Sequence, residues 1–288
     1  MPAQFIAEVS SNHHASLERC LQFIGTAAKI GCDGVKFQLF RIDQLFAPEI
    51  LARSAKHRER KQWELPPQFI PDIGQACKQN SIDFICTPFD LPAVDTLYPY
   101  VDAYKIASYE LTWPALLKEC AATQKPVILS TGMATLSECK AAVHILSEAG
   151  CDKLTVLHCV SLYPTPPECA NLAAIHTLRD SCDCAAGWSD HTVLPGVIYQ
   201  AVFGFGAEII EFHLDLEGKG AEFSAGHCWL PDQIGDVIKN IRLGESSVGN
   251  GVKINVPQEE RERLWRADPK DGYRPFKEMR LKFKGDGV

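Results

Sequence analysis

Residues 102–131, DAYKIASYELTWPALLKECAATQKPVILST, hold the repeat that decides the fold. A β-rich run at 102–108 leads into a helix-length amphipathic segment at about 112–122, and a second apolar run follows at 126–131. Strand, helix, strand with short links is the unit that pairs its strands in parallel. The same alternation extends in both directions. Strands are expected at 5–9, 34–40, 83–88, 102–108, 126–131, 153–160, 184–190 and 208–216. Helices are expected at about 16–30, 66–80, 91–100, 112–122, 135–149, 171–181, 194–205 and 231–243. Thr135 and the Leu230-Pro231-Asp232 step read as helix starts. Eight units, with no glycine-rich phosphate fingerprint after the first strand, predict a closed (β/α)8 TIM barrel rather than an open doubly wound sheet.

The chain is long enough for one such barrel, with 288 residues of which 46% are hydrophobic. Residues 1–249 are read as the barrel. Residues 250–288 are charge-dense, without a clear period, and are read as an arm packing on the barrel or on a partner subunit. A net charge of −7 gives no footprint for nucleic acid. The basic stretch Arg53 to Lys61 reads as a solvated loop. The twelve cysteines lie mostly inside apolar runs, as in Cys86 and Cys159, where a thiol behaves as a small hydrophobe. The opening MPAQFIAEVSSNHH lacks the pattern of a secretory signal, and no apolar run is long enough for a bilayer. A cytoplasmic protein with no membrane partner is expected.

In such barrels the reactive groups collect at the carboxyl ends of the strands. Polar residues do collect there: Glu8, Lys36 and Gln38, Thr87, Lys105 and Ser108, Ser130, and Ser189 with Asp190 and His191. On the last strand Glu211, His213 and Asp215 share one face by period-two alternation. Lysines inside a barrel need carboxylates or an anion. Glu8 and Glu110 would serve a structural pairing. With the hydroxyls, Lys36 and Lys105 would instead hold a phosphate and a carboxylate, and Lys105 is also the candidate for a Schiff base. His191 and His213 end adjacent strands, with Asp190 and Glu211 beside them, a pattern that suits a divalent metal. His57, His144, His158 and His176 are read as surface or packing residues.

Eight blocks in order, IAEVSSNHH, GVKFQLF, CTPFD, YKIAS-x-E, ILSTGMAT, LHCVSLYPTP, GWSDHT and IIEFHLDL, resemble the N-acetylneuraminate synthase family. The resemblance runs from residue 5 to about 216. It implies condensation of phosphoenolpyruvate with an open-chain N-acylated hexosamine, releasing phosphate by C–O cleavage. It implies that Lys36, Thr87, Lys105, Ser108, Ser130 and Ser189 bind phosphoenolpyruvate. His191 and His213 would hold manganese, with magnesium, cobalt or zinc as alternatives. Gln38, Glu8 and Tyr163 would face the sugar, Glu8 positioning a proton or water, and Glu110 belongs to the substrate-binding set. A homo-oligomer, dimer or tetramer, is expected.

Three departures stand out. The family's C-terminal antifreeze-like domain is not expected in a chain of this length, and Arg266 or Arg274 would replace the arginine it supplies. The acidic-histidine motif after strand eight reads GKGAEFSAGHCWLP, with Glu222 and His227 as substitutes. Val160 stands where some members have asparagine. A metal-dependent sugar-acid aldolase or lyase, and a non-catalytic metabolite-binding barrel, are the competing readings.

Overall fold

The computed structural model describes residues 2–283. Eight parallel strands follow one another around a closed ring: β1 (Gln4–Glu8), β2 (Gly34–Leu39), β3 (Asp83–Pro88), β4 (Ala103–Ile106), β5 (Val127–Ser130), β6 (Leu154–Cys159), β7 (Ala185–Asp190) and β8 (Ile209–Leu214). The pairing of β1 with β8 closes the ring. All eight expected strands are present, each within two residues of its expected bounds, so the (β/α)8 barrel is the fold. The alternation could be read because parallel neighbours require a crossover, here a helix each time.

Helices α1 (Leu17–Lys29), α2 (Ile70–Gln79), α3 (Leu91–Leu97), α4 (Pro114–Ala122), α5 (Leu136–Glu148), α6 (Ala174–Cys182), α7 (Pro195–Tyr199) and α8 (Pro231–Ser246) follow the eight strands in turn. Helix α1 shows the local logic. Ser16 caps its start by accepting from Arg19 N, and Cys20, Phe23, Ile24 and Ala27 fall on one buried stripe. Helix α5 opens with a reciprocal capping box between Thr135 and Glu138.

Alternation along the strands sorts side chains into two cores. Phe5, Val35, Phe37, Phe84, Tyr104, Leu129, Trp188, Phe212 and their neighbours face the helices. Ile6, Ile85, Ala103, Ile128, Leu157 and Ile209 form a separate cluster filling the barrel interior. Two residues further along those strands the interior turns polar, at Glu8, Thr87, Lys105, Ser130 and Glu211, all buried. The interior is tight at Gly187, where an added Cβ would lie 2.3 Å from Ile209 O. Only glycine admits that approach between β7 and β8.

Two differences from the sequence reading matter. The stretch after β2 is not an open loop but a run of short helical turns, Ile42–Leu45, Pro48–Arg53 and Ala55–Glu59. Their polar composition left no apolar period to read. A ninth, two-residue strand β9 (Cys228–Trp229) pairs with β8, placing Cys228 beside His213 and Trp229 beside Leu214. Residues from Ser246 onward form a second compact unit, beginning four residues before the expected boundary. Within it, Asp268 accepts from the backbone N–H of Lys270 and Lys277. All twelve cysteines are free, nine of them buried. Among the described residues no helix is long and apolar enough to cross a membrane.

Candidate active site at the carboxyl end of the barrel

The register fixes the first pair. Glu8 of β1 lies opposite Lys36 of β2, and Lys36 Nζ meets Glu8 Oε2 at 2.5 Å. Gln38 Nε2 donates to the other oxygen, Glu8 Oε1, at 2.9 Å, and Ser10 N donates to it at 2.8 Å. Lys36 also reaches Glu211 Oε2 at 3.4 Å, and Lys105 Nζ reaches Glu211 Oε1 at 3.5 Å. The expected structural partners therefore hold for Glu8 only. Glu211 of β8 takes the place foreseen for Glu110, because β8 closes against β1 and its inward face meets both lysines. Burial pushes the Lys36 ammonium down to about 8, opposed by Glu211. Burial raises the Glu211 carboxyl, but Lys105 and Lys36 outweigh it and hold the group ionised.

The two lysines are thus unequal. Lys36 sits between two carboxylates, whereas Lys105 has one long contact and faces the hydroxyls. Ser189 Oγ donates to Glu211 Oε1 at 3.1 Å, and Ser108 Oγ accepts from Gly132 N at 2.9 Å. Thr87 Oγ1, Ser130 Oγ and Ser161 Oγ are buried without a hydrogen-bond partner. Unmatched buried hydroxyls are costly unless a ligand supplies the partner. Their position on the strand ends beside Lys105 suits an anion. Ser161 escaped the sequence reading, although it lies only two residues beyond β6. Its role rests on the close approach of the loop after β5: a Cβ at Gly132 would lie 2.3 Å from Ser161 Oγ and 2.9 Å from Ser108 Oγ. Gly132→Ala is accordingly expected to weaken anion binding about tenfold or more through overpacking. Calorimetric titration with phosphoenolpyruvate checks this, and adding Ser161→Ala should restore part of the loss.

Glu110 lies just past β4, buried, with Oε2 unpaired. Burial raises its carboxyl to about 7, against the opposing pull of Lys105. Below the unfolded value of about 4.5 it is protonated in both states and has no linkage effect. As pH rises through 7 the folded protein must carry a buried carboxylate, so stability falls. Glu110→Gln should raise the melting temperature at pH 8 and leave it nearly unchanged at pH 4.5. Equal shifts at both pH values in a calorimetric scan would refute this assignment.

On the far side of the mouth, Tyr163 stacks on His191 with ring centroids 4.1 Å apart, and His191 lies 5.4 Å from His213. His191 Nδ1 meets the Val160 carbonyl at 2.9 Å. A carbonyl only accepts, so Nδ1 carries the proton and Nε2 keeps a lone pair. Burial, with His213 adding to it, lowers His191 to about 3, which keeps the ring neutral. His213 Nδ1 meets Glu222 Oε2 at 3.0 Å. Hydrogen bonds from His213 and His227 overcome burial and hold the Glu222 carboxyl well below the usual range. Nδ1 of His213 is then the donor and Nε2 is available. The two imidazoles end neighbouring strands, each with its Nδ1 engaged and its Nε2 left to ligate, and fit a divalent cation.

Of the two carboxylates expected beside these histidines, Glu211 pairs with the lysines and Asp190 has other work. Asp190 is fully buried and accepts from Trp188 Nε1 (3.1 Å), Thr192 Oγ1 (2.7 Å) and Trp229 Nε1 (2.9 Å), tying β7 to β9. Asp215 leaves the barrel face and accepts from Glu217 N and Gly218 N in the turn after β8. Glu222 instead reaches the histidines, with His227, whose Nε2 lies 3.7 Å from Glu222 Oε2. His158, read as packing, donates from Nε2 to the Ala170 carbonyl (2.9 Å) and leans on Trp188.

A cavity of about 980 Å³ opens at the opposite end of the barrel. The aspartates at its rim serve strand ends: Asp33 Oδ2 accepts from Phe5 N and Asp102 Oδ2 from Phe84 N.

Known proteins share this chain's sequence pattern and fold. The NeuB family profile matches residues 23–253. An uncharacterised protein of Methanocaldococcus jannaschii is 38% identical over 264 residues, 90% of this chain and 75% of its own. An N,N'-diacetyllegionaminic acid synthase of Campylobacter jejuni is 34% identical over 264 residues, 86% of this chain and 78% of that one. A solved N-acetylneuraminic acid synthetase from Leptospira borgpetersenii, in complex with citrate, superposes with a TM-score of 0.79 at 30% identity, covering 91% of this chain and 90% of that one. With the profile spanning most of its length and relatives above 30% identity, this chain belongs to the NeuB family.

Proposed function

We propose that this protein condenses phosphoenolpyruvate with an open-chain, N-acylhexosamine-like sugar aldehyde, giving a sialic-acid-like 3-deoxy-ulosonic acid and phosphate. The observation that carries the reading is the polar layer inside the barrel mouth. Lys105 and three unpaired hydroxyls lie on one side, and the histidine pair lies on the other. Two of the named relatives are synthases of sugar acids of this type.

In this reading Lys105, Thr87, Ser130 and Ser161 receive the phosphate and carboxylate of phosphoenolpyruvate, with Ser108 and Ser189 beside them. Tyr163 walls the sugar side. His191 and His213 would hold a divalent ion, manganese or a related metal, which polarises an aldehyde oxygen when bound. Enolpyruvate C3 bonds to the aldehyde carbon, and the positive charge left at C2 is captured by water. Glu8, oriented by Lys36, Gln38 and Ser10 N, is placed to take the proton from that water. Rupture of the C2–O bond then releases phosphate. Fixed groups hold both reactants in line, which removes much of the entropic barrier.

The test is incubation with phosphoenolpyruvate, Mn²⁺ and a panel of aldoses and N-acylhexosamines. Phosphate should appear only with the correct sugar. No phosphate from this mixture, but pyruvate released from an added 3-deoxy-ulosonic acid, would favour a metal-dependent sugar-acid aldolase. Silence across the panel with folded, metal-loaded protein would favour a non-catalytic barrel.

A further inference from the structure

We propose that the barrel mouth contains a second metal position, a four-donor site built from His213, Glu222, His227 and Cys228 that takes zinc or a similar thiophilic divalent ion. One donor atom from each of these residues lies within 4.8 Å of the others. Glu222 Oε2 is the hub: His213 Nδ1 is 3.0 Å away, His227 Nε2 3.7 Å and Cys228 Sγ 4.0 Å. Four ligands at 2.0–2.3 Å from a tetrahedral ion stand about 3.3–3.8 Å apart. The three distances from Glu222 Oε2 bracket that range, so small side-chain adjustments would let the four donors converge on one ion.

Three independent features preorganise it. Glu222 Oε1 is held by Ser10 Oγ (2.7 Å), Ser11 Oγ (2.6 Å) and Ser11 N (3.2 Å), which fixes the carboxylate and leaves Oε2 aimed at the other donors. Ligand carboxylates anchored in this way are the rule in built metal sites. Strand pairing of β9 with β8 puts Cys228 beside His213 in register. His227 Nδ1 and the neighbouring His13 Nε2 are buried polar atoms without partners, so the pocket is polar and incompletely satisfied.

The donor chemistry selects the ion. A thiolate and two imidazoles favour zinc, cobalt or ferrous iron over magnesium and manganese. Entry of the ion displaces the Cys228 thiol proton to solvent, and the His213 ring ligates through Nδ1 with its proton on Nε2. The ion with one thiolate and one carboxylate is then neutral, as a largely buried site requires. This position uses Nδ1 of His213, whereas an ion shared with His191 would take Nε2, so the two positions are distinct alternatives for that ring and this one does not depend on the proposed reaction.

Cobalt substitution reads the site without any assay of turnover. Full-length protein loaded with Co²⁺ should show a near-ultraviolet thiolate-to-cobalt charge-transfer band and the intense visible bands of four-coordinate cobalt. Cys228→Ser should lose the charge-transfer band, and Glu222→Gln should weaken cobalt binding, while His191→Ala should keep both features. If His191→Ala abolishes binding and Cys228→Ser leaves the spectrum unchanged, the ion belongs to the histidine pair and this proposal fails. X-ray absorption on the zinc-loaded native protein needs no variant. One sulfur scatterer at about 2.3 Å supports the site, and a shell of nitrogen and oxygen only overturns it.

Discussion

Replacing His213 with alanine is expected to lower turnover by at least about 10³-fold while the barrel remains folded. Polarisation of a carbonyl by a bound ion is worth several kcal/mol of barrier, and each 1.36 kcal/mol is tenfold in rate. His213 is the residue that both donor sets share, so its loss removes the ion whichever position it occupies. The fold should tolerate the change because β8 is held by its ladder to β7 and β1 and by Phe212 and Leu214 on the outer face. Glu222 loses one donor but keeps Ser10 and Ser11. Bound metal measured by elemental analysis should fall with the rate, and circular dichroism should not change. A variant that retains metal and full turnover would remove the histidines from the mechanism.

The second large effect is expected from Lys105→Met, read in the KM for phosphoenolpyruvate. Truncating one partner of a buried charge pair costs about 2–5 kcal/mol, so the KM should rise about 10²–10³-fold. The KM for the sugar should move far less, since Lys105 stands on β4 while the histidines come from the ends of β7 and β8. Lys36→Met is the informative contrast. It leaves Glu8 and Glu211 both facing each other without their shared ammonium. Breaking a buried pair typically costs 3–5 kcal/mol of stability. Lys36→Met should therefore appear mainly in the melting temperature and Lys105→Met mainly in substrate affinity, where Glu211 keeps Lys36. Unchanged phosphoenolpyruvate KM in Lys105→Met would show that the anion cradle is wrongly placed.

The readable part of the site was the part written on strands. Glu8, Lys36, Gln38, Thr87, Lys105, Ser130, Ser189 and His213 were identified because a polar residue two places beyond an inward apolar one must lie on the same face. The pairing of Lys36 with Glu8 follows from neighbouring strands in register. Asp190 was expected beside the histidines, but strand ends bend into loops, and its carboxylate turned to nearby indoles, as Asp215 turned to amides of the turn after β8. Periodicity does not extend past the last ladder bond.

The groups that were missed come from loops. Ser161 reaches the mouth only because Gly132 allows two loops to touch. Cys228 lies beside His213 through the two-residue strand β9, too short to leave a pattern. Ser10 and Ser11 grip Glu222 over more than 200 residues of sequence.

By itself the sequence determined that eight parallel strands alternate with helices, and which residues each strand points inward, because pleat and crossover are local consequences of the chain. Only the tertiary structure decided how charges pair across the barrel. Glu211 rather than Glu110 joins the lysines, and Glu222, His227 and Cys228 converge on His213. Ring closure and loop contact bring together residues far apart in the chain, and no short-range pattern encodes that distance.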